Sequence, residues 1–139
     1  MTALPEACLL VRTWFGDHHA WKRLVLQVRT PSTEGFLAIV SVVDDPAFEG
    51  LTPEILKATQ SGGSIVSFIS DEATLTGDDQ PILAVWVLPL QAGDHRPEPK
   101  PFRVPASKLY VVENNINEAN LDWDDFARRA DEKGVFHGF

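Results

Sequence analysis

The stretch LYVVENNINEANLDWDDFARRADEKGVFHGF, residues 109–139, carries the strongest local structural signals of this chain. At about 100° per residue, four apolar side chains fall on one face of a helix: Leu109, Val112, Ile116 and Ala119. Asp122 then suits the N-cap of a second helix, with Asp125 completing a variant of the capping box. Gly134 suits the left-handed position at which a helix ends. The stretch therefore predicts two C-terminal helices.

The residues before this stretch alternate between apolar runs and amphipathic segments. Continuous apolar runs predict three buried strands at residues 8–11, 36–43 and 64–70. Asp17 caps an amphipathic helix between the first two strands, and Thr52 followed by Pro53 starts a short helix before the third. Strands that alternate with helices predict β-α-β units in a mostly parallel sheet.

The pattern changes after residue 70. Residues 81–88 and 102–104 predict two further strands, and the proline-rich residues 91–101 between them predict an exposed loop rather than a helix. We therefore expect an antiparallel hairpin there. The predicted fold class is α/β, a single domain of residues 1–139. Its small mixed sheet has three parallel β-α-β strands plus an antiparallel hairpin, and two C-terminal helices pack on it.

The charge, apolar runs and cysteine content indicate which classes of partner and cellular location suit this chain. Twenty Asp and Glu against twelve Lys and Arg give a formal net charge of −8 at pH 7, which disfavours nucleic acid and suits a basic protein partner. The apolar runs are too short to span a membrane, and the first residues do not resemble a signal peptide. Cys8 is the only cysteine, which excludes an internal disulfide. We expect a cytoplasmic protein without a cofactor.

One candidate binding region lies after the three predicted parallel strands, where ligands favour the crevice beyond the carboxyl ends. The candidate residues there are Trp14, Asp17, His18, Asp44, Asp45 and Asp71. Carboxylates of this kind suit a hard divalent cation, and His18 suits a general base. The competing interpretation assigns Asp17 and Asp71 to helix capping and Asp44 and Asp45 to the turn before Pro46. No catalytic residue and no metal ligand is assigned.

The second candidate region is the asparagine-rich part of the first C-terminal helix. Glu113, Asn117 and Asn120 lie together along one border of its apolar stripe. These side chains suit a hydrogen-bonding strip that recognises a ligand or partner. The alternative, which we favour, is that Asn114 or Asn115 breaks or caps this helix, while Asn117 and Asn120 hold the backbone of the hairpin or the next helix cap. Asparagine is a mediocre helix former that often fixes local geometry.

The apolar C-terminal residues 135–139, VFHGF, contain Phe136 and Phe139, which we expect either to dock on the domain or to form part of an interface.

Several short motifs together carry a family likeness. The chain has LLVRT at residues 9–13 with Phe15 and Asp17, VDDPAF at 43–48, LTP at 51–53, VENNI at 112–116, ANLD at 119–122 and GVFHGF at 134–139. With these motifs it resembles an uncharacterised family of bacterial domains over nearly its whole length. The resemblance implies no activity, substrate or catalytic residue.

The sequence favours a non-enzymatic protein-binding module of the bacterial cytosol, for example an immunity or antitoxin-like protein whose acidic surface binds a basic partner. The first alternative is a metal- or small-ligand-binding domain, or a hydrolase, that uses the acidic crevice after the parallel strands. The second alternative is a structural domain that forms a homodimer.

Overall fold

The computed structural model describes residues 4–60, 64–88, 93, 99–117 and 121–139. These residues form five strands and five α-helices, in the order β1 (Leu9–Arg12), α1 (His18–Val28), β2 (Ser41–Val43), α2 (Pro53–Thr59), β3 (Val66–Ser70), α3 (Glu72–Thr76), β4 (Pro81–Trp86), β5 (Phe102–Pro105), α4 (Leu109–Asn117) and α5 (Trp123–Ala127). Most of the proline-rich loop predicted at residues 91–101 lies outside the described residues. The two C-terminal helices are α4 and α5.

The five strands form one mixed sheet in the order β2-β1-β3-β4-β5. Strand β1 pairs in parallel with β2 and β3, whereas β3 with β4 and β4 with β5 are antiparallel. The mixed α/β class is confirmed, but the expectation of a mostly parallel β-α-β sheet is wrong. A parallel crossover needs about a dozen or more residues. The connection at residues 71–80 is shorter, so β4 turns back beside β3.

The sheet is covered on both faces. On one face, Trp21 of α1, Val112 of α4 and Phe126 of α5 pack in the same buried cluster as Phe68 of β3. On the other face, the buried cluster includes these side chains of α2, the sheet and nearby turns: Leu4, Leu9, Val11, Phe48, Leu56, Ile69, Val85 and Val87. Strands β1 and β3 are consequently buried along their whole length, as their continuous apolar runs predict.

Local capping starts three helices where the sequence predicts a start. The Asp17 carboxylate accepts from the N–H of Ala20, 3.0 Å away. The Asp71 carboxylate accepts from the Thr74 N–H at 3.0 Å. Thr52 Oγ1 caps α2 by accepting from the N–H of its third helical residue, Ile55. Each cap satisfies a backbone donor that the first turn of a helix leaves unpaired.

The C-terminal tail docks on the outer edge of β5. The Arg103 N–H donates to the Gly134 carbonyl at 2.8 Å, and the Phe136 N–H donates to the Arg103 carbonyl at 2.7 Å. Gly134 has a φ of +78°, the left-handed conformation that favours glycine. Phe136 is buried, with its ring centroid 5.1 Å from that of Phe126. The tail therefore closes this edge of the sheet.

Strand β2 is shorter than predicted. The sequence predicts a buried strand at residues 36–43, but only Ser41–Val43 pair with β1. Phe36 and Ile39 are 55% and 75% exposed. The prediction is wrong because β1 begins at Leu9, opposite Ser41, and so provides no partner for residues 36–40. Backbone groups of Leu37 and Ile39 instead form hydrogen bonds with side chains of α4.

None of the helices in the described part of the chain is long and apolar enough to cross a membrane.

Replacing Phe126 with alanine should destabilise the fold strongly. Its ring is fully buried against Phe102 and Phe136, so the truncation leaves a cavity and should lower the free energy of unfolding by about 3–5 kcal/mol. Urea denaturation measures the change. Leu26→Ala is the control, because Leu26 is exposed and should shift stability by at most about 0.5 kcal/mol. Equal effects of the two variants would contradict this packing.

Candidate functional site

The sequence-predicted site residues fall into two groups at opposite ends of the sheet. The first group lies where the parallel strands β1, β2 and β3 end, and comprises Trp14, Asp17, His18, Asp44, Asp45 and Asp71. The second group, Glu113 and Asn117, lies near the start of β3. Asn120 lies outside the described residues. The two regions are therefore separate, and they have different chemistry.

A buried arginine organises the first group. Arg12, the last residue of β1, is only 3% exposed. Its Nη1 lies 3.3 Å from Asp44 Oδ1 and 3.2 Å from His18 Nδ1, and its Nε donates to the Trp14 carbonyl at 3.2 Å. The other Asp44 oxygen accepts from Trp21 Nε1 at 3.2 Å. The buried guanidinium of Arg12 needs such hydrogen-bond partners. Because Asp44 contacts both Arg12 and Trp21, it also holds the end of β2 against β1 and α1.

Aromatic rings complete the surroundings of Arg12. Its guanidinium carbon lies 4.3 Å from the centroid of the Phe15 ring and 5.4 Å from that of Trp21. These distances suit cation–π attraction. Sequence reasoning missed Arg12. The available signal is a charged residue directly after the apolar run Leu9–Val11, because a charge at the end of a buried strand requires a partner.

A second arginine pairs with Asp71. Arg103 of β5 contacts Asp71 through both terminal nitrogens, at 3.0 and 2.9 Å, and its Nη1 also donates to the Pro81 carbonyl at 3.1 Å. Burial opposes ionisation of Asp71, but the hydrogen bonds from Arg103 and from the Thr74 backbone outweigh it, so the pKa of Asp71 is lowered. The pair ties the end of β3 to β5.

The remaining members of the first group also have structural contacts. Asp17 caps α1, and the Asp45 carboxylate accepts from the Ala47 N–H at 2.9 Å. The Trp14 ring lies over Gly16 and leaves no room for a Cβ there. Among the residues that the structure describes, no group of three or more His, Cys, Asp or Glu side chains is placed to hold a metal ion.

The same end of the sheet carries further carboxylates. Glu49 is exposed in the turn after β2, where the neighbouring Gly50 N–H donates to the Thr13 carbonyl after β1. Glu72 is exposed at the start of α3, and Asp78 and Asp79 are exposed between α3 and β4. We define the acidic end as Asp17, Asp44, Asp45, Glu49, Asp71, Glu72, Asp78 and Asp79. Among the described residues, the ion pairs within the acidic end are those of Arg12 with Asp44 and of Arg103 with Asp71.

The second group forms an internal hydrogen-bond network. Glu113 is buried, and its Oε1 accepts from the Ile39 N–H at 2.7 Å. Its Oε2 accepts from Asn117 Nδ2 at 3.0 Å. Asn117 Oδ1 in turn accepts from Ser64 Oγ at 2.9 Å and from the Ile65 N–H at 3.2 Å. Both side chains thus hold backbone on either side of α4. Asn117 holds the chain entering β3, not the hairpin or the next helix cap that the sequence suggests.

Cys8 lies beside this network. Its thiol donates to the Val66 carbonyl at 3.1 Å, and burial raises its pKa to about 11. A thiol held protonated in this way is a poor nucleophile at neutral pH.

A sequence model of the family described as a domain of unknown function, DUF6924, matches residues 7–139. The chain therefore belongs to this family. No curated protein matches the chain.

Asp71→Asn should destabilise the protein in a pH-dependent way. Because the pKa of Asp71 is lower in the folded chain, its stabilising effect is present above the ordinary Asp pKa of about 3.9 and is lost as pH falls through the lower folded value. At pH 7 we expect a loss of about 1–3 kcal/mol. The difference from wild type should shrink in strongly acidic solution.

Chemical denaturation from pH 7 down to about pH 2 measures this effect. Glu72→Gln is the matched control, since Glu72 is the neighbouring exposed carboxylate. A stability difference for Asp71→Asn that does not change with pH would contradict the ion pair.

Glu113→Ala and Asn117→Ala should each lower the free energy of unfolding by about 1–3 kcal/mol, because each leaves backbone N–H groups without an acceptor. Asn115→Ala is the control, since the Asn115 side chain donates within its own helix, to the Val111 carbonyl. Thermal and urea unfolding measure the effect. Unchanged stability of the first two variants would show that the hydrogen bonds of Glu113 and Asn117 to backbone do not stabilise the fold.

Proposed function

We propose that this member of the DUF6924 family is a non-enzymatic protein-binding module that binds a basic partner through the acidic end. The observation that carries the proposal is the distribution of charge there. Four carboxylates at one end of the sheet are exposed: Glu72 at the start of α3, and Glu49, Asp78 and Asp79 between elements. The two arginines at this end are already paired with Asp44 and Asp71.

The electrostatics favour a protein partner rather than an anionic one. The formal net charge of −8 gives long-range attraction for a basic surface, and it repels phosphate groups. Complementary charge mainly speeds encounter and selects among partners. The exposed carboxylates around α3 are free to rearrange toward cationic side chains, while the Arg12–Asp44 and Arg103–Asp71 pairs keep the strand ends fixed.

The structural contacts of the site residues support a binding role over a catalytic one. Asp17 and Asp45 accept backbone hydrogen bonds, and Asp44 and Asp71 pair with arginines, so these groups hold the fold. The narrower form of the proposal is an immunity or antitoxin-like role in a bacterial cytosol, in which the domain covers a basic partner. Fold alone does not identify such a role, so partner identification is the necessary test.

The variant Glu72→Gln, Asp78→Asn and Asp79→Asn should lose affinity for the partner by about tenfold or more. It removes three exposed charges and keeps both ion pairs intact, and asparagine tolerates the positive φ of residue 79. The matched control is Glu54→Gln, Asp124→Asn and Glu132→Gln, which makes the same change in net charge on exposed positions away from the acidic end.

The measurement begins with capture of proteins from an extract of the source organism at low salt, followed by release at high salt. Calorimetry with the purified captured protein then compares wild type, the acidic-end variant and the control. We expect one stoichiometric, salt-sensitive partner that the control binds nearly as well as wild type. Absence of such a partner at low salt, or equal loss in both variants, would contradict the proposal.

A further inference from the structure

The two outer strands of the sheet differ in how their edges are covered. Beyond β5, the tail residues 134–136 exchange backbone hydrogen bonds with Arg103, at 2.8 and 2.7 Å. Beyond β2, the described residues provide no further strand. Within the described part of the chain, one edge is thus closed and the other is open.

The backbone of the β2 edge is oriented for pairing. The Ser41 N–H donates to the Cys8 carbonyl at 2.8 Å and so points inward, toward β1. Alternate residues of an edge strand point their backbone groups to the opposite side. Val42 therefore directs its N–H and C=O groups outward. The Val40 carbonyl also points outward, because it lies opposite the Ser41 N–H in the peptide unit that joins the two residues. An outer strand with such a row of groups is a template for another strand.

Apolar side chains accompany this edge. Phe36, Leu37 and Ile39 are 55%, 39% and 75% exposed, although Phe36 stacks on Tyr110 with centroids 6.1 Å apart. The backbone of Leu37 and Ile39 is held by α4, through Asn114 Nδ2 to the Leu37 carbonyl at 3.1 Å and through the Ile39 N–H to Glu113. Phe36 is held instead by Ser32, whose N–H donates to the Phe36 carbonyl at 2.8 Å and whose Oγ accepts from the Phe36 N–H at 3.0 Å. Proteins usually protect an open edge by keeping it very short or with charged residues, proline or a bulge. Strand β2 has only three residues, but the edge continues into residues 36–40 and presents valine, isoleucine and phenylalanine.

We propose that the β2 edge, defined as residues 36–43, is a docking site at which an extended segment of the partner protein adds to the sheet as a further strand. The inference rests on the proposed function and deepens it, since it names the surface and the partner's local chemistry. Main-chain hydrogen bonds to Val40 and Val42 would give affinity, and the exposed apolar side chains would give specificity.

The order of residues along this edge argues against a second copy of the chain as the occupant. Antiparallel self-pairing centred on residue 40, 41 or 42 places Asp44 opposite Phe36, Ala38 or Val40 of the other copy. Each such register sets a carboxylate against an apolar side chain at both ends of the pair. Two chains with a net charge of −8 also repel one another.

The charges instead define a heterologous occupant. Asp44, directly after β2, is already paired with Arg12, but Asp45 has no cationic partner among the described residues. A strand that covers residues 36–42 extends toward the Asp45 carboxylate. The fitting partner segment is apolar over about five or six residues and carries Lys or Arg at the end next to Asp45. In parallel addition the basic residues lie at the carboxyl end of the partner segment, and in antiparallel addition they lie at its amino end.

Synthetic peptides of about ten residues test the inference directly. The probes alternate valine and threonine and carry two lysines at either the amino or the carboxyl end. One matched peptide has proline at two central positions, which removes ladder donors, and another replaces both lysines with glutamate. Calorimetry gives affinity, and amide hydrogen exchange locates the contact.

Protein variants complete the test. Val42→Pro removes an outward N–H while leaving the inward bond of Ser41 in place, and should weaken binding of the lysine peptide about tenfold. Ile39→Ser should weaken binding about three- to tenfold. Ile55→Ser is the control, because Ile55 is an exposed isoleucine on α2. If Val42→Pro does not fold, Ile39→Ser and the proline peptide still decide the question.

Binding of a lysine peptide with slowed exchange at Val42, together with loss in the proline peptide and in Ile39→Ser, supports the site. No binding, or equal binding of the proline peptide, overturns it. If wild type is a dimer by light scattering and Val42→Pro dissociates it, the occupant is a second copy of the chain and the heterologous occupant is overturned.

If Val42→Pro retains the captured partner while the acidic-end variant loses it, this inference fails and the proposed function stands. If neither variant affects capture, both fail.

Discussion

The buried carboxylate of Glu113 is the interaction on which the arrangement of this domain depends. One of its oxygens holds the Ile39 backbone, and the other orients Asn117, which accepts hydrogen bonds from the chain entering β3. A buried carboxylate is costly unless it is fully hydrogen-bonded, so α4 can pack against the sheet only where these donors are present. Helix α4 consequently fixes both the entry to β3 and the path of residues 36–40, and the apolar stripe of α4 fills the core between them.

This constraint explains why the two edges of the sheet differ. The backbone of Leu37 and Ile39 is held by side chains of α4 rather than by another strand, and the side chains of Phe36, Leu37 and Ile39 remain exposed next to β2. At the other edge the C-terminal tail supplies backbone partners for Arg103. The carboxyl ends of the parallel strands are fixed separately, by Arg12 with Asp44 and by Arg103 with Asp71. The strand ends are therefore held in place by these ion pairs. The open apolar edge and the acidic end are adjacent, and both reach Asp44 and Asp45.

The sequence predicted features that depend on neighbouring residues. The caps at Asp17, Thr52 and Asp71 each join residues three apart, and the mixed α/β class follows from apolar runs separated by such helices. It could not predict contacts between distant residues. Arg12 and Asp44 are 32 residues apart, and Ser64 and Asn117 are 53 apart. The apolar run at residues 36–43 was misinterpreted for a related reason, because hydrophobicity does not reveal that β1 is too short to pair with all of it.

Native-state amide hydrogen exchange of the free protein tests most directly the claim that one edge of the sheet is closed and the other open. Backbone amides that donate within the fold should be protected, namely those of Ile39, Ser41, Arg103 and Phe136. The amide of Val42 should exchange at least about a hundredfold faster, since it faces outward from β2. Equal protection of Val42 and Ser41, or rapid exchange at Phe136, would contradict the account.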